Sequence, residues 1–129
     1  MRSLLAALTG LASIMLAVPA FAAETFPFDQ ARFAAAQQEG RPILIDITAS
    51  WCPTCAAQRP ILARLEAGPE FKSLIVFTVD FDAQKDAVRR FHARMQSTLI
   101  AFKGTTETAR SVGDTGAPSI EALLRSTLE

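Results

Sequence analysis

The run Ile43-Leu44-Ile45-Asp46-Ile47-Thr48-Ala49-Ser50-Trp51-Cys52-Pro53-Thr54-Cys55 decides how this chain is read. Its first half is a short apolar segment with β-branched residues, bounded by Pro42 and the cysteine turn, the pattern of a strand buried on both faces. Its second half holds both cysteines of the chain, two residues apart. A ring that small removes little entropy from an unfolded chain, so the pair suits exchange better than stapling. The thiolate is the attacking species in exchange, and a cysteine at a helix N-terminus has its charged form favoured by unpaired backbone N–H groups and the macrodipole. If a helix begins at Pro53 or Thr54, Cys52 sits at its mouth as the attacking thiol. Cys55, one turn inward, is then the resolving thiol. Pro53 fits the first turn because a proline there costs no helical hydrogen bond. The competing reading is half of a metal site or a pair of inert thiols. A structural zinc site usually takes four ligands, and beyond the two cysteines the chain has only His92.

Asp46 is a lone carboxylate inside the apolar strand, six positions before Cys52. Burial raises a carboxyl pKa, and an acid behind the dithiol could accept the proton of Cys55 as that thiol resolves a mixed disulfide. A surface-facing or cap-like Asp46 is the plainer alternative.

Outward from this run the elements follow one another without repeat, low-complexity tract or linker. Asp29 to Glu39 reads as a helix capped by Asp29 and stopped by Gly40. After Cys55, Ala56 to Ala67 returns to helical spacing through Ile61, Leu62 and Leu65, with Pro60 inside it and Gly68-Pro69 at its end. Leu74 to Val79 reads as a second buried strand. Ala83 to Arg94 reads as a charged helix with Val88, Phe91 and Met95 on one side. Thr98 to Phe102 and Glu107 to Val112 form a hairpin around Gly104, and Pro118 opens a last helix through Ile120, Leu123 and Leu124. The order helix, strand, helix, strand, helix, strand, strand, helix predicts an α/β fold with a mixed central sheet and helices on both faces. Phe33, Phe77, Phe91 and Phe102 are assigned to its core, and His92 to the solvated surface. Asp80, Asp82 and Asp86 lack the glycine and final glutamate of a calcium loop and read as a strand end and a helix cap.

The start of the chain reads as an export signal. Arg2 precedes an apolar run from Leu4 to Val18, and Ala20-Phe21-Ala22 offers small residues for cleavage after Ala22. The run is shorter and richer in alanine than the roughly twenty apolar residues of a membrane span, although an uncleaved anchor remains the alternative. Residues 1–22 are thus expected to be a signal peptide, and 23–129 one domain in an exported, periplasmic setting. The formal net charge of the whole chain is zero, from 13 basic and 13 acidic residues. Such a balance gives no reason to propose nucleic acid or an anionic membrane as partner. Two cysteines in an exported chain lean toward a disulfide-forming compartment.

With these residues in view, the chain resembles the thioredoxin superfamily over essentially all of Ile43 to Leu128. Asp46 to Cys52 matches the family's buried-acid and Trp-Cys segment in spacing. Pro60-Ile61-Leu62 lies where the family kinks its helix, and Val79-Asp80-Phe81-Asp82 is similar to its third-strand end. Arg94, Thr98 to Lys103 and Ala109 to Gly113 resemble its last two strands. The resemblance implies a thioredoxin-like fold, a thiol–disulfide oxidoreductase activity without cofactor or metal, Asp46 as proton relay, and disulfide-containing or dithiol proteins as partners. It also implies a docking surface made of Trp51, Gln96, Ser97 and Thr98. A monomer is expected, and a reductase in an oxidising compartment would call on a membrane electron donor.

Two departures stand out. Pro53-Thr54 replaces the Gly-Pro of thioredoxins proper and supplies no histidine to stabilise the thiolate, which leans the expectation toward a reducing or intermediate potential. Ser97 stands where the family has a cis-proline facing the cysteines. A non-proline cis bond costs about 2.5–4 kcal/mol, so a trans, locally rearranged loop is one reading. More room and an added hydroxyl beside Cys52 would then alter substrate choice, or admit a metal ion or dimer-bridging cluster and make the chain a thiol-based carrier. The other reading is that Ser97 simply fits an ordinary loop.

Overall fold

The computed structural model describes residues 22–129, so the expected signal segment lies outside the described residues except for Ala22. In chain order the elements are β1 (Glu24–Pro27), α1 (Gln30–Gln38), β2 (Pro42–Thr48), α2 (Pro53–Glu66), a short 3-10 turn (Pro69–Phe71), β3 (Ile75–Asp80), α3 (Lys85–Arg90), β4 (Thr98–Lys103), β5 (Thr106–Val112) and α4 (Ala117–Arg125). They form one mixed sheet in the order β1-β3-β2-β4-β5. β3 runs parallel to both β1 and β2, whereas β4 is antiparallel to β2 and to β5.

Alternation along the strands sorts the core into two layers, because successive side chains of a strand point to opposite faces. Ile43, Ile45 and Ile47 of β2 join Phe77, Val79, Ile100 and Phe102 beneath Phe33 and Ala36 of α1, Val88 of α3 and Phe91 at its C-cap. Leu44 joins Val76, Leu99 and Ala101 beneath Leu62 and Leu65 of α2 and Ile120, Leu123 and Leu124 of α4. The helices therefore cover both faces, as expected. The four phenylalanines assigned to the core are all buried. Asp46 shares the parity of Leu44, so it faces the layer under α2, the helix that carries the cysteines.

Asp29 caps α1 by accepting the Arg32 N–H at 2.8 Å. Gly40, at φ +68°, closes the helix through the Arg41 N–H donating to the Ala36 carbonyl at 3.0 Å. Two readings need correction. β1 was not expected, since Glu24-Thr25-Phe26-Pro27 is short and unpatterned; its pairing with β3, not its own residues, makes it a strand. α2 begins at Pro53, one of the two starts considered, so the helical stretch read from Ala56 extends back through Cys55. α3 spans only Lys85–Arg90 instead of reaching Arg94. His92 adopts φ +53° there, and the Ala93 N–H returns to the Val88 carbonyl at 3.0 Å. This is the closure that glycine usually provides, and histidine is among the residues that tolerate it. Met95 therefore lies beyond the helix and is 51% exposed instead of sharing a face with Val88 and Phe91.

Candidate active site

β2 ends at Thr48 in the middle of the sheet, and the chain turns at once into α2. Cys52 is the N-cap of that helix, in extended backbone, and its Sγ accepts the Cys55 N–H at 3.1 Å. Pro53 occupies the first helical turn. Both thiols are free and buried, Cys52 lying just beneath the surface. Burial works against ionising Cys52, but hydrogen bonds from the Cys55 thiol and N–H, the Gln96 side chain and the Thr54 N–H outweigh it and hold its pKa below the ordinary thiol value. Cys55 is pushed the other way, first by burial and then by its role as donor to the Cys52 sulfur. The pair is thus split into a thiol that ionises readily and one that keeps its proton until that proton is taken.

Asp46 lies on the face of β2 turned to α2, surrounded by protein yet open on one side to a cleft of about 210 Å³. Burial raises its pKa to about 6, against a smaller opposing pull from Arg59. Glu66 lines the same cleft, and its pKa is also raised, by burial and then by the charge of Asp46. Arg59, Ala63 and Glu66 are spaced along one side of α2, which brings all three to this cleft. The Arg59 guanidinium also donates to the Ala49 carbonyl at 3.2 Å, tethering the turn that leads to Cys52.

The Ser97 loop approaches from the other side. No peptide bond among the described residues is cis, and Ser97 instead takes φ +58°. A left-handed conformation costs a non-glycine residue roughly 1–2 kcal/mol. The loop is therefore rearranged, as one of the two readings had it. Ser97 is buried, and its hydroxyl donates to the Gln96 carbonyl at 2.5 Å instead of facing a partner. Thr98 is also buried, with its hydroxyl on the Met95 carbonyl at 2.7 Å. Of the expected docking residues, Trp51 is 58% exposed and its indole N–H donates to Asp82 at 2.6 Å. The large apolar side chains exposed among the described residues are Trp51, Met95 and Val112. Thr98 pairs with both Ile47 and Val112, which puts all three at the end of β2 where the thiols lie.

Sequence reasoning missed Gln58, Arg59, Glu66, Met95 and Val112. Gln58 had a readable signal: it interrupts the buried stripe Cys55, Leu62, Leu65 of α2 with a polar side chain. Among the described residues no three His, Cys, Asp or Glu side chains are grouped to hold a metal ion.

A dithiol at a helix mouth, its two thiols split in acidity, is the site of a thiol–disulfide oxidoreductase. The Thioredoxin family model matches residues 24–126. A thioredoxin of Aspergillus fumigatus is 30% identical over 89 residues, 68% of this chain and 80% of its own length. One from Alicyclobacillus acidocaldarius is 28% identical over 105 residues, 81% of this chain and 99% of its own. The crystal structure of Trxlp from Edwardsiella tarda, 40% identical, superposes with a TM-score of 0.76 over 78% of this chain and 98% of its own. The chain belongs to the thioredoxin family, whose homologues support thiol–disulfide oxidoreductase activity.

Proposed function

We propose that this protein reduces disulfides in partner proteins through Cys52 and Cys55, acting as a monomer in an exported, periplasmic setting. The observation that carries the reading is the Cys52 sulfur at the mouth of α2, accepting the Cys55 N–H, with Cys55 one turn behind it. The Cys52 thiolate attacks one sulfur of a partner disulfide, and the partner's other sulfur leaves as a thiolate. Asp46 takes the proton of Cys55. The Cys55 thiolate then attacks the Cys52 sulfur, closing the Cys52–Cys55 disulfide and freeing the partner's second thiolate. Two electrons pass to the partner, which leaves as a dithiol once its thiolates are protonated. In an oxidising compartment the spent disulfide would be restored by a membrane-borne electron donor.

The reducing direction is supported by Pro53-Thr54 between the cysteines, a pair that offers no histidine to stabilise the reduced thiolate. A reduction potential near about −270 mV is expected, and one above roughly −180 mV would overturn the direction. Insulin reduction by the wild type, abolished in Cys52→Ser, tests the activity. Absence of turnover in both proteins would instead favour a thiol-based metal or cluster carrier.

A further inference from the structure

Gln58 lies inside α2, three residues after Cys55, and is 1% exposed. Its Nε2 donates to two main-chain carbonyls from separate segments, Ser97 at 3.3 Å and Asp114 at 2.8 Å. The Ser97 carbonyl also accepts the Gly113 N–H at 2.9 Å. One buried amide thus joins the helix that carries the thiols to the loop before β4 and to the turn that leads into α4. Its Oε1 is buried without a protein partner. An apolar side chain of similar shape would bury no orphaned acceptor, so filling the core does not account for an amide at this position.

What the amide holds has a chemical consequence. Ser97 keeps a left-handed backbone, and its carbonyl is fixed on both sides by Gln58 and Gly113. The residue before it, Gln96, is among the groups whose side chains hold the Cys52 pKa below the ordinary thiol value. We propose that Gln58 is a positioning residue for thiol exchange, clamping Ser97 and the Asp114 turn against α2 so that the Gln96 amide stays on the Cys52 sulfur. Without the clamp Ser97 is free to leave its left-handed conformation, and the turn of its φ angle carries Gln96 away. The inference rests on Cys52 being the attacking thiol.

The test is the pH profile of iodoacetamide alkylation of the reduced protein, with the modified thiol located by mass spectrometry. This readout needs no partner protein or turnover. Gln58→Met and Gln96→Ala should each move the Cys52 profile to higher pH, slowing alkylation below the titration about tenfold, the scale of one lost hydrogen bond to a charged acceptor. The double variant should move it no further than Gln96→Ala alone, since both changes remove the same bond. A folded Gln58→Met with a wild-type profile, an unmoved Gln96→Ala, or additive shifts would overturn the proposal. Should Gln58→Met not fold, Gln58→Asn, too short to reach both carbonyls, takes its place: an intermediate upward shift supports the clamp and a wild-type profile refutes it. Fast alkylation at Cys55 that persists in Cys52→Ser would instead refute the choice of Cys52 as attacking thiol, a failure of the functional reading that is told apart from failure of the clamp.

Discussion

Asp46 is a destabilising residue at neutral pH. Its pKa rises from 3.8 to about 6 on folding, chiefly through burial. The folded state therefore holds a proton that the unfolded chain releases, and stability falls as pH climbs through that interval. Above it the penalty is constant, on the order of 2–3 kcal/mol by linkage. Asp46→Asn should accordingly be more stable than the wild type, by little near pH 4 and by that full amount above about pH 6. Urea unfolding of the two proteins across this range is the measurement, and a gap that stays level with pH would contradict the assignment. On the proposed function the same substitution removes the acceptor for the Cys55 proton, so mixed disulfides should accumulate as stability improves. Stability and turnover moving in opposite directions is the mark of a residue kept for chemistry.

Among the elements, the β4–β5 hairpin depends on a single backbone position. Gly104 has φ +57°, and a methyl group there would lie 3.2 Å from both the Gln37 carbonyl and the Gly40 Cα. Both atoms are backbone at the end of α1, so they cannot swing aside. Gly104→Ala should cost roughly 2 kcal/mol or more, the left-handed penalty plus the crowding, read as a lower urea midpoint at unchanged slope. The turn at Gly104 was legible in the sequence, as were the two buried strands, the capped α1 and the cysteine turn, because each rests on local pattern or turn chemistry. The elements that were misread depend on distant partners or on rare conformations. β1 exists through its pairing with β3, and α3 is cut short by a histidine in a glycine's conformation. The site divides along the same line. Cys52, Cys55 and Asp46 could be named from their place in the sequence pattern, and Trp51 from the family resemblance. Gln58, Arg59, Glu66 and Val112 are brought to it by one face of α2 and by strand register, which no short window of sequence contains.

At the scale of the whole molecule, the fold separates its two tasks. The sheet and its two apolar layers carry the burial, and the end of β2 gathers both thiols, the strained Ser97 loop and the exposed apolar rim. That rim includes Met95, the single methionine between residues 22 and 129 and the neighbour of the Gln96 that meets the Cys52 sulfur. A half-exposed thioether beside a redox pair is exposed to chemical wear, because peroxide converts it to a polar, chiral sulfoxide. The thiols can be regenerated by any dithiol, whereas the sulfoxide needs a dedicated reductase. Protein treated with peroxide and then with dithiothreitol should regain wild-type alkylation kinetics at Cys52 yet show a raised KM for insulin, and Met95→Leu should escape the rise. An equal rise in both proteins would place the damage elsewhere. On the proposed function, the working life of the protein under oxidant would be set by an exposed thioether that a dithiol does not repair, while the sulfurs that do the exchange are renewed each cycle.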